Sequence, residues 1–358
     1  MDLIIPVSGK SSRFPNMRPK WMLTHPSGYP MFLESIAGLD LDKFKRIFLV
    51  ALREHADKYS FEEGVISAVK KKFGLKISKK FKIVILEEET SSQPETVAMC
   101  IKLENITQRF MIKDSDNFFT CEISNNNSIV THSLEEMEKV NASNKSYVLL
   151  DDNGVVQNIV EKKVISSNFC AGAYTFESGE KFLKSYNSIK HKENLYVSHV
   201  IYKMILDGDV FNIENAKSYI DWGTLSDWKE FKSSFASIFI DLDGVIVENS
   251  GQFLSPSWGE TGPLYENMKC VNELYDTGRC EIIITTSRTS DFKKETEKQL
   301  DKIGLKYHRV LYDLMHCQRI IVNDFAKTNS FKSCNSINIQ RNSESLREKI
   351  DYMIKRAK

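Results

Sequence analysis

The strongest constraint on this chain is a rhythm that it runs through twice. Short apolar runs of strand length alternate with longer stretches of helical period. Residues 2–7, 47–52, 82–86 and 109–112 read as strands, and 30–39, 60–73 and 94–103 read as the helices between them. A helix between two strands makes a crossover, and crossovers join parallel strands, so the pattern predicts an α/β fold with helices on both faces of the sheet. The rhythm then changes. Segments 127–132, 146–150, 155–160 and 169–176 read as short strands joined by polar turns such as Asp151-Asp152-Asn153-Gly154, followed by a helix over 195–207. A second series starts at 237, with strands at 237–240, 281–284, 308–311 and 319–322 and helices at 262–277, 290–303 and 342–357. A chain of 358 residues is long enough for two domains, and the break falls between 1–233 and 234–358. No Pro- or Gly-rich linker marks it, which predicts close packing of the two.

Composition excludes several classes. The net charge is +1, so nothing general attracts the chain to nucleic acid or to an anionic membrane. The short charge runs Lys70-Lys71-Lys72 and Lys79-Lys80 read as solvated helix faces. No apolar stretch approaches the roughly 20 residues that span a bilayer, and the N-terminal segment lacks the pattern of a signal peptide. The expected location is cytoplasmic, with no membrane and no nucleic-acid partner. The seven cysteines form no CxxC pair and read as reduced thiols.

Two loops carry chemistry. The first follows the first strand: Pro6-Val7-Ser8-Gly9-Lys10-Ser11-Ser12-Arg13-Phe14, then Pro19-Lys20. Small residues let backbone approach a phosphate, and Arg13 and Lys20 bring the charge that phosphoryl chemistry needs. The loop matches neither the P-loop nor the dinucleotide fingerprint. The second loop is Asp241-Leu242-Asp243-Gly244-Val245 after an apolar strand. Two carboxylates one residue apart can serve as nucleophile and as general acid and base.

The first string resembles the signature of sugar-phosphate nucleotidylyltransferases and the related phosphocholine cytidylyltransferases, over about residues 1–231. The resemblance implies a GT-A-like, Rossmann-like domain, in which Arg13 and Lys20 act in catalysis and Ser8, Gly9, Lys10, Ser11, Ser12, Gln93 and Thr96 bind the nucleotide. It implies that Asp116 and Asp221 hold Mg2+, with Asp114 as second choice, and that Glu161, Lys162 and Gly172 meet a phosphorylated acceptor. Trp21, Tyr174, Tyr196 and Ser198 are candidate pocket residues. Ser11 stands where relatives carry glycine, and Gln93-Pro94-Glu95-Thr96 lacks the usual glycine before threonine. CTP is the favoured donor, through similarity to the phosphocholine-type branch.

The second string resembles motif I of the haloacid dehalogenase (HAD) superfamily, over about residues 236–345. The resemblance implies a small capless domain in which Asp241 attacks phosphorus and Asp243 is the acid. Thr286 (or Thr285) and Arg288 would bind the phosphoryl group, and Asp324, after the strand 319–322, would complete a Mg2+ site with Asp241 and Asp243. The lysine such domains carry shortly before that strand is missing; Arg319 and Lys327 are candidates for its place, and His316 reads as a surface loop residue.

Together these features predict a bifunctional cytoplasmic enzyme. It would transfer a nucleotidyl group to a phosphorylated sugar, polyol or small alcohol, with a phosphatase attached, for surface or capsular polysaccharide precursors. The alternative is a transferase with a non-catalytic second domain. A third reading is a non-enzymatic sensor of nucleotide or sugar phosphate. A homo-oligomer is possible on these grounds.

Overall fold

The computed structural model describes residues 1–9, 13–137, 142–324 and 333–354. Lys10, Ser11, Ser12 and Lys327 lie outside the described residues. The chain divides into two compact units, Met1–Asp227 and Trp228–Lys358. The division falls inside the helix Leu225–Ser233 and not after it. Trp228, Phe231 and Phe235 pack on one another there.

Unit 1 is a mixed α/β unit. Its strands are β1 (Asp2–Pro6), β2 (Arg46–Leu52), β3 (Phe81–Leu86), β4 (Phe110–Lys113), β5 (Asn117–Thr120), β6 (Ser128–Ser133), β7 (Ser146–Leu150), β8 (Val156–Glu161), β9 (Asn168–Phe176), β10 (Asn212–Asn215) and β11 (Lys217–Asp221). The main sheet runs β10-β6-β9-β4-β1-β2-β3, with β7 and β8 attached through β9. β1, β2, β3 and β4 are parallel neighbours, as the alternation predicts, while β9 is antiparallel to β4 and β6. Leu3, Ile4 and Ile5 are all fully buried because both faces of β1 are covered. Two apolar layers result, one under Leu3, Ile5 and Phe119 and the other under Ile4, Phe110 and Phe176.

Sequence periodicity misses β5, β10 and β11 and the helices Arg53–Tyr59, Gly179–Ile189 and Leu225–Ser233. The first three are short and mostly polar, and β5 and β11 pair only with each other. Their apolar anchors are Phe119 and Tyr219, whose stacked rings lie 6.4 Å apart.

Unit 2 has β12 (Ala236–Asp241), β13 (Cys280–Thr285) and β14 (Arg309–Leu311) in one parallel sheet of that order. The helices Tyr265–Asp276, Lys293–Ile303 and Leu346–Ile350 flank it. The strand expected at 319–322 does not form. Ile320, Ile321 and Val322 are exposed in irregular chain, the last by 91%. The apolar run is present, but among the described residues no strand takes up its backbone hydrogen bonds.

Candidate active site

A cleft of about 940 Å3 opens along one end of the unit 1 strands. Every described residue that the sequence assigned to this unit's site lines it: Ser8, Gly9, Arg13, Lys20, Gln93, Thr96, Asp114, Asp116, Glu161, Lys162, Gly172 and Asp221. Trp21, Tyr174, Tyr196 and Ser198 line it too.

The two aspartates are brought together by the β5–β11 ribbon. Asp221 pairs in register with Asn117, and the Trp222 amide donates to the Asp116 carbonyl at 2.8 Å. Gly223 follows directly. A Cβ placed on it would lie 2.9 Å from Asp221 Oδ1, 3.5 Å from Asp116 Oδ2 and 3.6 Å from Arg13 Nη1. The absence of a side chain at Gly223 therefore leaves a small cradle between two carboxylates and a guanidinium. Such a donor set suits Mg2+, which takes one or two carboxylates and completes its shell with water and substrate phosphates.

Cations neutralise this pair. Lys20, on the short turn Lys20–Met22, donates to Asp116 Oδ2, and Arg13 Nη2 stands 3.7 Å from the same oxygen. Burial opposes ionisation of Asp116, but the charge and hydrogen bond of Lys20, with Arg13 and Lys145, outweigh it and hold this carboxyl below the usual range. Its neighbour behaves oppositely. Burial, then the Asp116 charge, push Asp114 up to about 6. Asp114 accepts from Gln93 Nε2 at 2.5 Å and packs against Gly172, where φ is +89° and an added Cβ would meet Asp114 Oδ2 at 2.6 Å. Gln93 thus reaches across the cleft to an aspartate. The turn that carries these acids is fixed from below by the buried Lys113. Its ammonium donates to the carbonyls of Asp114 (2.8 Å) and Asn117 (3.1 Å) and to the Asn117 side chain. Burial pushes the Lys113 ammonium down to about 8.

Local structure sets the remaining residues. Ser92 caps the helix Gln93–Leu103, Pro94 occupies its first turn, and Glu95 turns back to accept from the Ser91 amide at 2.6 Å. Thr96 is buried, its hydroxyl 2.6 Å from that of Thr90. The Ser8 hydroxyl donates to the Val50 carbonyl at 2.9 Å, so it pins the loop to β2. Glu161 Oε2 accepts from Ser198 at 2.7 Å and from Ser146. Lys162 holds a left-handed backbone (φ 55°), and its ammonium lies on the Tyr196 hydroxyl and 4.4 Å from that ring's centre. Trp21 is 2% exposed and packs edge-on against Phe32 and Phe61, so its bulk belongs to the core.

Sequence reasoning missed Lys145 and Tyr219. Lys145 donates to Asp221 Oδ2 and, at 2.7 Å, to the Tyr219 hydroxyl. Burial works against its charge, but Tyr219 and Asp221 outweigh that and keep the ammonium above the ordinary lysine range. The turn at Asp151–Gly154 was only a partial signal: counting outward from it puts residue 145 opposite 161, and a β-bulge between Leu149 and Leu150 moves its partner to 162.

Unit 2 departs further from expectation. Asp241 ends β12 opposite Thr285 and is exposed, and Gly244 (φ +90°) makes the turn behind it. Partial desolvation raises the Asp241 carboxyl above its ordinary value, against the pull of Arg319 and Arg341. Arg288, expected at a phosphoryl group, is fully buried. Its Nη2 and Nε donate to Asp243 at 2.8 and 2.9 Å, and its Nη1 donates to Gln299 Oε1 at 2.8 Å. Both oxygens of Asp243 are thus engaged by one guanidinium. Thr286 is 1% exposed and accepts from the Arg288 amide at 3.1 Å, so its hydroxyl braces the turn. Asp324 lies in exposed irregular chain, its carbonyl taken by Ser333. Asp241, Asp243 and Asp324 do not gather, and among the described residues no three His, Cys, Asp or Glu side chains form a metal site. The cause is the missing strand at 319–322, which was to carry Asp324 to Asp241.

Solved structures share the fold of a part of the chain about the size of unit 1. A nucleoside-diphosphate-sugar pyrophosphorylase from Vibrio cholerae RC9 aligns over 64% of this chain and 98% of its own, with a TM-score of 0.53 and 20% identity. The inositol-1-phosphate CTP transferase from T. maritima aligns over 63% and 90%, with a TM-score of 0.50 and 14% identity. No protein-family model and no curated protein matches the chain. At these identities the likeness is one of fold. Among the described residues no helix is long and apolar enough to cross a membrane.

Proposed function

We propose that unit 1 transfers a nucleotidyl group from a nucleoside triphosphate to a phosphorylated sugar, polyol or small alcohol and releases pyrophosphate. The observation that carries this reading is the meeting of Asp116 and Asp221 at Gly223, beside Arg13 and Lys20. These two aspartates would hold Mg2+, which when bound supplies positive charge to the triphosphate. Arg13, which lines the cleft with its side chain half exposed, would bind the β- and γ-phosphates. Lys20 stands ready for the charge that grows at the α-phosphate. An oxygen of the acceptor phosphate forms the new bond to the α-phosphorus as the bond to the pyrophosphate oxygen breaks. The leaving group carries off the electron pair. A phosphomonoester dianion needs no base to activate it, which agrees with a cleft whose cations are already matched to its acids. CTP comes first among the donors, supported by the sequence resemblance and by the CTP transferase among the fold neighbours. The product would be the activated ester that polysaccharide assembly consumes.

The deciding experiment screens CTP, UTP, dTTP, GTP and ATP against phosphorylated sugars and polyols and follows pyrophosphate. Release that disappears in Asp116→Asn supports the reading. No release from any combination by a folded protein refutes it.

For unit 2 the geometry favours a HAD-like scaffold over a working phosphatase, because Arg288 clasps Asp243 and, among the described residues, no third acid joins Asp241 and Asp243. One observation favours hydrolysis: Arg319 bears on Asp241 and could fill the place of the missing lysine. Phosphate release from a phosphate-ester panel, lost in Asp241→Asn, would establish the hydrolase. Its absence from the wild type leaves the scaffold.

A further inference from the structure

The β7–β8 hairpin pairs Ser146 with Glu161, so the residues one step beyond it, Lys145 and Lys162, stand side by side. The Lys162 amide donates to the Lys145 carbonyl at 3.0 Å. Both lysines line the cleft. Their ammonium groups part, Lys162 to Tyr196 and Lys145 to Asp221 and the Tyr219 hydroxyl. Lys145 keeps only 12% of its side chain exposed. A phosphate monoester brings two negative charges and three terminal oxygens, and two ammonium groups rooted on adjacent residues match that demand. Because Asp221 is also the aspartate that meets Asp116, Lys145 lies between the aspartate pair and the acceptor end of the cleft.

We propose that Lys145 is a second ligand of the acceptor's phosphate. It rests on Asp221 while the cleft is empty and is shared with the phosphate once a monoester enters beside Lys162. The inference deepens the nucleotidyl-transfer reading and rests on it for the word acceptor. It limits that acceptor to a dianionic phosphate monoester, since a diester or a bare alcohol leaves one ammonium unmatched.

The test uses the full-length protein and inorganic phosphate, with neither nucleotide nor metal, by titration calorimetry. Lys145→Met should weaken phosphate binding about tenfold or more, and Lys145→Arg should largely restore it. Asp221→Asn should tighten binding, because Lys145 is no longer held back. Phosphate affinity within about twofold of wild type in Lys145→Met, or unchanged in Asp221→Asn, overturns the proposal. Where Lys145→Met does not fold, Lys145→Gln and Asp221→Asn decide by the same criteria. The two readings fail separately. If phosphate affinity follows this order but no nucleotide yields pyrophosphate, the phosphate site stands and the transferase falls. If pyrophosphate is released and Lys145→Met binds phosphate normally, only Lys145's role falls.

Discussion

Replacing Gly223 by alanine tests the aspartate cradle without touching either aspartate. The new Cβ would sit 2.9 Å from Asp221 Oδ1, while Asp116 Oδ2 and Arg13 Nη1, at 3.5 and 3.6 Å, are in ordinary contact. A carbon–oxygen contact needs about 3.4 Å, so Asp221 Oδ1 has to retreat by about 0.5 Å. The same oxygen accepts from the Gly223 amide at 2.9 Å, and that bond is lost or bent as it moves. The fold should hardly notice. The moving atom ends a flexible side chain, Gly223 does not have a positive φ, and Gly→Ala removes freedom from the unfolded chain worth about 0.4–1 kcal/mol. Chemistry should suffer, because misplacement on the ångström scale costs about 10²-fold. The expected result is pyrophosphate release lowered between about tenfold and hundredfold, with a Tm equal to or slightly above wild type. Mn2+ binding to the free protein, followed by electron spin resonance, should weaken in parallel. Full activity with unchanged Mn2+ affinity would refute the convergence of Asp116 and Asp221 on one ion.

Three further outcomes check the surrounding structure. Gly38→Ala drives a methyl to 1.9 Å from the Phe119 carbonyl, where backbone must move. Urea unfolding should show a loss of at least about 1–3 kcal/mol, and a wild-type midpoint would contradict the packing of β5. Arg288→Met strips Asp243 of its guanidinium partner and leaves it the hydroxyls of Ser250 and Thr286, at a cost of about 3 kcal/mol in unit 2. A calorimetric scan should show that loss, and none would mean that the clasp is loose in solution. Burial, with Lys72 nearby, pushes His25 down to about 4 despite Glu34, and its Nδ1 accepts from the Ser27 amide at 3.1 Å. Below its ordinary pKa of 6.5 the unfolded chain takes up a proton that the folded chain refuses. Stability should therefore fall as pH drops from about 6.5 towards about 4, and urea midpoints for His25→Gln should trace a flatter profile.

Much of unit 1 was legible because its signals are local. The strand–loop string from Pro6 to Lys20 reads as a phosphate-handling loop from its residue types alone, and the hydrophobic period of β1 to β4 points to a parallel core. Asp116 and Asp221 were legible as residue types at strand ends, but β5 and β11, which join them, were not. Those strands are held by pairing with each other and by Phe119 and Tyr219, and periodicity does not register partners distant in sequence. Lys145 escaped for a related reason. It belongs to no motif, and only the fold sets it beside Lys162 and against Asp221 and Tyr219.

Sequence alone determined the α/β alternation, the two-part division and the residue types available for phosphate chemistry. These follow from hydrophobic period and backbone chemistry, which act between near neighbours. Tertiary structure decided which charges meet. It set Asp116 against Asp221 with a lysine on each, spent Asp243 on a buried arginine, and left the segment at 319–322 in irregular chain. Electrostatic partnership depends on distances of a few ångströms between residues far apart in the chain, and only the folded backbone sets those distances.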